Sequence, residues 1–142
     1  MTPPNFTRLN RGWNAEPNAP SPHVEVVGDT VTLRFVLNHM IYKQCAADDL
    51  GFLIFDHAGR WRLGPTNDEG WLRNQCRYSG LAPAWGEFYE IEGPAELRDA
   101  ASDWRRIAPD QTSMRHFLFY LRDETFECVA RDWRFVGPHD PA

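Results

Sequence analysis

Residues 116–131 read HFLFYLRDETFECVAR, and this stretch decides the fold class. Apolar side chains recur at every second position on both sides of Asp123-Glu124. They are Phe117, Phe119, Leu121, Phe126, Cys128 and Ala130. Because successive side chains of a β-strand point to opposite faces, a turn centred on Asp123-Glu124 places all six on one face of an antiparallel hairpin. We expect that face to belong to the hydrophobic core.

The opposite face of the same hairpin has a mixed character. It carries His116, Leu118, Tyr120, Glu127, Val129 and Arg131. The expected turn sets Tyr120 opposite Glu127 and Leu118 opposite Val129, which gives amphipathic cross-strand pairs. Such a face suits a covering helix or a partner subunit, and the proline-rich N-terminal arm is another candidate to cover it. These six residues are therefore a candidate interface for a protein partner or a homodimer.

Further strands are predicted upstream of this hairpin. Residues 24–38 are predicted to form a hairpin about Gly28-Asp29, where a glycine at the first turn position suits a type II′ turn. Residues 50–55 are almost entirely apolar, which indicates a central strand covered on both faces. The turn-forming residues 56–59 then predict a second hairpin that sets Phe55 opposite Arg60.

The rest of the chain alternates in the same way. Polar and apolar residues alternate over 72–79 and 87–92, which predicts two more strands. Residues 94–104 begin with Pro94, a favourable residue at a helix start, and predict one short helix. Residues 133–136 are predicted to complete the sheet.

About eight or nine short strands at hairpin spacing are typical of all-β folds built mainly from antiparallel strands. Short turns favour a meander-type β-barrel with at most one or two short helices, and a β-sandwich is the alternative. With 142 residues, the chain is long enough to bury one sizeable core. We therefore predict a single antiparallel β domain over residues 23–142.

Residues 1–22 have a different composition. They contain five of the eleven prolines, which excludes long regular structure and predicts an N-terminal arm. The arm also carries Phe6, Leu9 and Trp13. Because large apolar side chains gain free energy on burial, we expect the arm to dock on the β domain.

Charge and composition exclude several classes of partner. The net charge of −5 argues against a nucleic-acid partner. No apolar run is long enough to span a membrane or form a signal-peptide core, so we expect a cytoplasmic protein without a membrane partner. Cys45, Cys76 and Cys128 are widely separated, which indicates reduced thiols.

The sequence contains no motif that assigns a reaction. His, Cys and carboxylate spacings match no metal site, and no glycine-rich loop indicates a phosphate-bearing cofactor, so we predict neither metal nor cofactor. No catalytic residue is assigned, and a non-enzymatic role is favoured. A small hydrolase or isomerase that uses Glu87 or Glu90 with His116 or Arg77 is an alternative function.

Aromatic and polar residues are concentrated between positions 61 and 89. The candidate ligand-binding residues are Trp61, Trp71, Arg73, Arg77, Tyr78, Trp85 and Tyr89. A mostly apolar wall with a few polar groups is typical of a small-molecule pocket. The leading hypothesis is therefore non-catalytic binding of a small polar or aromatic ligand in an aromatic-lined cleft. In that cleft Arg73 and Arg77 would orient an acidic or hydroxylated group.

Overall fold

The computed structural model describes residues 2–66 and 68–140, which form eight β-strands and two short helices. The strands are β1 (Asn5–Arg8), β2 (His23–Val27), β3 (Thr30–Val36), β4 (Leu50–Pro65), β5 (Phe88–Glu92), β6 (Arg105–Arg106), β7 (Arg115–Tyr120) and β8 (Glu124–Val136). The helices are α1 (Asp68–Leu72) and α2 (Ala95–Asp99). The prediction of a mainly antiparallel β structure with at most two short helices is confirmed.

All eight strands belong to one sheet in the order β1-β5-β7-β8-β4-β3-β2, with β6 paired to β4. The long strands β4 and β8 form its centre, and their register runs from Phe52 opposite Val136 to Pro65 opposite Glu124. Within residues 2–66 and 68–140, the terminal strands β1 and β2 do not pair with each other. The sheet is therefore not closed into a barrel.

The hairpin of β7 and β8 has the predicted core face but a different register. All six predicted core side chains are buried. The two-residue turn consists of Arg122 and Asp123, one position earlier than predicted. The observed pairs on the opposite face are Leu118 with Glu127 and Tyr120 with Thr125. Because the pairing shifts by two residues, each side chain stays on the predicted face while its partner changes.

The first hairpin agrees with the sequence pattern. Val27 pairs with Thr30, so the turn is Gly28-Asp29 as predicted. Gly28 has a φ of 61°, a conformation that glycine adopts without a steric penalty. The predicted strand over 87–92 is also confirmed, as β5.

The prediction of a second hairpin at residues 56–59 is wrong. These residues continue β4, which pairs with β8 on both sides of a β-bulge between Ala58 and Arg60. His57 has a φ of 53°, so the turn-forming residues bend the strand locally without reversing it. Because β8 provides partners along the whole length, Phe55 pairs with Trp133 rather than with Arg60.

The structure also differs from the sequence prediction at three other elements. The strand over 72–79 is wrong, because α1 ends at Leu72 and the positive φ values of Asn74, Tyr78 and Gly80 interrupt an extended run. The helix over 94–104 is shorter than predicted and spans only α2. Residues 133–136 are the end of β8. Neither helix in the described part of the chain has the length and apolarity needed to cross a bilayer.

The N-terminal arm contacts both faces of the sheet. β1 pairs with β5 at one edge. Trp13 is 6% exposed and stacks on Phe135 with a ring-centroid distance of 4.1 Å, which closes one end of the main core. Phe6 packs on the opposite face, against Tyr78 and Tyr89.

Candidate functional site

The outer face of β5, β7 and β8 is covered by residues 68–87 and 93–104, which we call the cover segment. Tyr78, Ala82 and Leu97 of this segment pack with Leu118 and Tyr120 of β7 in a second hydrophobic cluster. The mixed face of the hairpin is therefore buried by the same chain.

Four of the predicted ligand-binding aromatics belong to this second cluster. They are Trp71, Tyr78, Trp85 and Tyr89. Tyr78 and Tyr89 are only 8% and 2% exposed, and Trp85 lies 4.8 Å from the Tyr120 ring. Most of the predicted aromatic wall is therefore a packed core, and only Tyr78 and Trp85 reach the cavities described below.

Trp61 and Arg73 do not join this group. Trp61 pairs with Cys128 and packs against the main core on the other face of the sheet, where Arg105 lies 5.3 Å from its ring centroid. Arg73 is exposed and forms a surface ion pair with Glu69 at 2.7 Å. The seven predicted residues therefore do not form one site.

Arg77, the remaining predicted residue, belongs to a buried ionic network centred on Glu127. The Glu127 carboxylate is 0% exposed and accepts hydrogen bonds from Arg62 at 2.7 Å, from Arg77 at 2.5 and 2.9 Å, and from His116 at 2.7 Å. Burial alone would raise the pKa of Glu127, but the bonds from His116 and Arg77 outweigh burial and lower it to about 2. Glu127 is therefore ionised at neutral pH.

The two arginines connect this carboxylate to the cover segment. Arg77 also donates to the carbonyl oxygens of Leu97 and Arg98, both at 3.0 Å. Arg62 donates to the Asp103 carboxylate at 2.7 and 3.1 Å. Arg62 of β4 thus joins the sheet to Asp103, and Arg77 joins Glu127 of β8 to the carbonyl groups of Leu97 and Arg98. The network therefore fixes the cover segment in position on the sheet.

His116 is held in one orientation by the network. It is 6% exposed, and its ring lies between those of Tyr78 and Trp104, with centroid distances of 5.9 and 6.1 Å. Burial lowers the pKa of His116 and outweighs the hydrogen bond with Glu127. Because Glu127 is ionised, Nε2 donates to it and neutral His116 keeps a lone pair on Nδ1. No described residue forms a hydrogen bond with Nδ1.

A cavity of about 360 Å³ lies beside His116, and we call it the His116 cavity. Tyr78, Arg98, Arg115 and His116 contribute to its wall, together with residues 90–94. Burial raises the pKa of Tyr78 to about 12, so its phenol is neutral. The lining therefore combines a neutral imidazole and a neutral phenol with two guanidinium groups and with the carboxylates of Glu90 and Glu92.

A second cavity, of about 440 Å³, lies on the other side of the aromatic cluster, and we call it the Trp85 cavity. It is bounded by the arm, by the loop after β3, by Trp85 and by the end of β7. Its polar lining includes Asn14, Asn38, Glu87 and Arg122. An aromatic ring and several polar side chains thus line one partly open cavity, which shares only Trp85 with the predicted ligand-binding residues.

Five of the six predicted interface residues are inaccessible in the folded chain. His116, Leu118, Tyr120, Glu127 and Val129 are each at most 6% exposed, and Arg131 alone is exposed. The cover segment occupies the place that a partner would take. A homodimer would therefore need another surface.

The carboxylates proposed for catalysis have other partners. Glu87 accepts a hydrogen bond from Asn10 at 2.6 Å, and Glu90 forms a two-bond ion pair with Arg115 at 2.7 and 2.9 Å. The carboxylate that contacts both His116 and Arg77 is Glu127, which sequence reasoning assigned only to an interface. Its position on the same strand face as His116 was the one available signal.

The thiols of Cys45 and Cys128 are unreactive because of their surroundings. Burial and the nearby Asp49 raise the pKa of the Cys45 thiol, and burial raises that of Cys128. Both are therefore protonated and poor nucleophiles at neutral pH. Across residues 2–66 and 68–140, no three His, Cys, Asp or Glu side chains are grouped so as to hold a metal ion.

Comparison with protein-family models, curated proteins and solved structures finds no match.

Proposed function

We propose that this protein binds a small, uncharged, polyhydroxylated molecule, of the class of a mono- or disaccharide, in the Trp85 cavity without converting it. The observation that carries the proposal is the state of Asn38. This residue is 5% exposed and lines the cavity, and no described residue accepts a hydrogen bond from its Nδ2, which remains accessible to solvent. A ligand hydroxyl can accept a hydrogen bond from this amide donor in place of water.

The remaining polar groups are suited to hydroxyl recognition. Asn38 uses its Oδ1 to accept from the backbone nitrogens of Met40 and Ile41, which leaves the Nδ2 donor for a ligand. One carboxylate oxygen of Glu87 accepts from Asn10, and the other has no partner among the described residues. The lining thus combines donor and acceptor groups with aromatic rings, as expected of a site that orients a polar ligand.

The charges of the lining favour an uncharged ligand. Glu16 and Glu87 are acidic, whereas Arg122 is the one basic residue of the lining and already donates to Asn18 at 3.2 Å. An anionic ligand would be repelled by the two carboxylates. It would gain little from Arg122, because this guanidinium already donates a hydrogen bond to Asn18. Neutral hydroxyl groups can both donate to carboxylates and accept from amides.

The site is formed in advance by backbone contacts of the arm. Ala15 forms a β-bridge with Leu37, and the backbone nitrogen of Glu16 donates to the carbonyl of Val36 at 2.8 Å. The Asn14 side chain donates to the carbonyl of Gly86 at 2.9 Å. These contacts hold three lining segments together, so binding requires little ordering of the chain.

The proposal is tested by titrating isotopically labelled protein with glucose, galactose, maltose, inositol and a neutral nucleoside while recording amide NMR spectra. We expect saturable shifts of the Asn38 side-chain amide and of the Trp85 indole for at least one of the first four. The variant Asn38→Asp keeps the Oδ1 acceptor and removes the donor, so it should weaken binding about 10-fold.

Leu81→Ala, at a side chain that is 47% exposed and outside the cavity lining, is the matched control and should bind like the native protein. If none of the polyhydroxylated molecules perturbs Asn38 and Trp85, or if Asn38→Asp binds with native affinity, the proposal is wrong.

A second candidate function is homodimerisation through β2, and the observation that favours it is the exposure of this terminal strand. Val26 and Val27 are 39% and 68% exposed on an edge whose backbone groups can pair with another strand. Light scattering over a wide protein concentration range tests it. A mass that stays monomeric at the highest concentration excludes this function, and a dimer should dissociate in Val27→Lys.

A further inference from the structure

Two residues in the lining of the His116 cavity have hydrogen-bonding atoms of complementary chemistry that no described residue engages. One is the Nδ1 lone pair of His116, which is kept available because Nε2 donates to Glu127. The other is the terminal edge of the Arg98 guanidinium. Arg98 uses Nε to contact Asp99 at 3.0 Å, and neither of its terminal nitrogens forms a hydrogen bond within residues 2–66 and 68–140. A nearly buried ring with a free acceptor and a cationic donor thus line the same cavity.

Nearby charges restrict what can bind there. Arg115 and Glu90 also line the cavity and pair with each other through two hydrogen bonds, so their charges offset one another, and Glu92 adds an exposed carboxylate to the lining. The positive charges of Arg77 and Arg98 are close enough to His116 to help lower its pKa. A second cation beside Nδ1 would be repelled by the same two arginines, so the group that donates to Nδ1 is expected to be a neutral hydroxyl rather than an ammonium.

We propose that the His116 cavity is a second binding site, specific for small 2-hydroxy carboxylic acids. The carboxylate of the ligand accepts hydrogen bonds from the terminal nitrogens of Arg98, and its 2-hydroxyl donates to Nδ1 of His116. Glu127, Arg62 and Arg77 act as positioning residues that fix the imidazole and its tautomer. This site is separate from the Trp85 cavity and does not depend on the function proposed for it.

A series of small ligands tests the carboxylate contact with Arg98 and the hydroxyl contact with His116 separately. Glycolate and lactate carry both groups, acetate lacks the hydroxyl, glycolamide lacks the charge, and glycine replaces the hydroxyl by an ammonium. Binding is followed by calorimetry and by the imidazole nitrogen resonances of His116. We expect glycolate or lactate to bind saturably and to shift Nδ1. Acetate, glycolamide and glycine should each bind about 10-fold more weakly or not at all, since each loses one charged or buried hydrogen bond.

The variant Arg98→Gln tests the carboxylate contact in a protein that should fold, because this side chain is 30% exposed and its carbonyl contacts remain. Glycolate binding should weaken about 10-fold. Arg106→Gln removes an arginine of similar type that is 55% exposed and pairs with Asp110, and it should leave binding unchanged.

His116→Gln keeps a donor toward Glu127 and removes the Nδ1 acceptor, so it should abolish the preference for glycolate over acetate. Equal affinity for glycolate and acetate, native affinity in Arg98→Gln, or the absence of saturable binding of both hydroxy acids would each overturn the proposal. Trp85→Phe should leave glycolate binding intact, so failure at one cavity is distinguishable from failure at the other.

Discussion

Among single residues, Glu127 has the most demanding environment. Its carboxylate is fully buried on the sheet and accepts hydrogen bonds from Arg62, Arg77 and His116. Removing a charge from water is expensive, and the cost is offset only when every buried partner is satisfied. The two arginines therefore depend on Glu127 as much as it depends on them.

We predict that Glu127→Gln lowers the free energy of unfolding by about 3–5 kcal/mol, because it leaves two largely buried guanidinium groups without their shared counter-charge. Urea unfolding followed by circular dichroism measures the change. The control is Asp29→Asn, which changes an exposed carboxylate that contacts His57 at 3.1 Å and should cost less than about 0.5 kcal/mol. Similar losses in both variants would contradict a special role for the buried network.

The same network predicts how stability depends on pH. The pKa of His116 lies below its ordinary value of 6.5 in the folded state, so the unfolded chain binds the proton first and stability falls as the pH drops below 6.5. The pKa of Glu127 is lowered from 4.5 to about 2, so its contribution is present above 4.5 and is lost as the pH falls toward 2.

We therefore expect urea unfolding midpoints to decline in two stages, first below pH 6.5 and then below pH 4.5. His116→Gln should flatten the first stage and leave the second. His23→Gln, at an exposed position of β2, should show both stages. An unchanged first stage in His116→Gln would assign that titration to another group.

Part of the candidate site could be predicted from alternation alone. The pattern correctly placed His116 and Glu127 on one strand face, because the side-chain period of a strand is independent of its exact register. It could not identify their partners. Arg62 lies in a strand that the sequence presents as a hairpin, and Arg77 lies in a loop that it presents as a strand.

At the scale of elements, the cover segment has little regular structure of its own. Its two helices, α1 and α2, have five residues each, which is too short for stability in isolation. Its position depends on the aromatic cluster and on Arg77, which contacts Glu127 of β8 and the carbonyls of Leu97 and Arg98.

We predict that Arg77→Lys loosens the cover segment while the sheet stays folded. Lysine keeps the charge but has no planar fork to contact a carboxylate and two carbonyls at once. The loss should be about 2 kcal/mol, measured by urea unfolding, with faster amide hydrogen exchange in residues 95–104. Arg73→Lys, in the same segment but 65% exposed, is the control. Native exchange rates in Arg77→Lys would show that the aromatic cluster alone holds the segment.

The course of β4 shows why local signals mislead. The sequence 56–59 has the composition of a turn, yet β8 offers a continuous partner along both halves of β4. Pairing along the whole strand satisfies more backbone groups than a local reversal would, and the bulge lies between Ala58 and Arg60, next to the left-handed residue His57. Only the long-range pairing decides between a bend and a turn, and that pairing is not encoded within the segment.

At the scale of the whole molecule, the class of the fold followed from the sequence because alternation recurs in most of the strands. The order of the strands in the sheet could not be predicted from the sequence, because it depends on pairing between strands that are far apart in the chain. β8 pairs with β4, and β5 lies between β1 and β7. The result is one sheet with a packed core on each face. Both cores include residues of the N-terminal arm, which composition alone would present as an appendage.

The N-terminal arm contributes Trp13 to the main core. Trp13 is 6% exposed and contacts Phe35, Phe88 and Phe119 as well as Phe135. Trp13→Ala should therefore cost about 3–5 kcal/mol, the range for removing a large buried aromatic ring. A chain that begins at His23 would lose β1 and Trp13 together, and we expect it to lose cooperative thermal unfolding. A chain that begins at Asn5 keeps both and is the control. If the shorter chain unfolds cooperatively with native stability, the arm is an appendage and not a structural part of the domain.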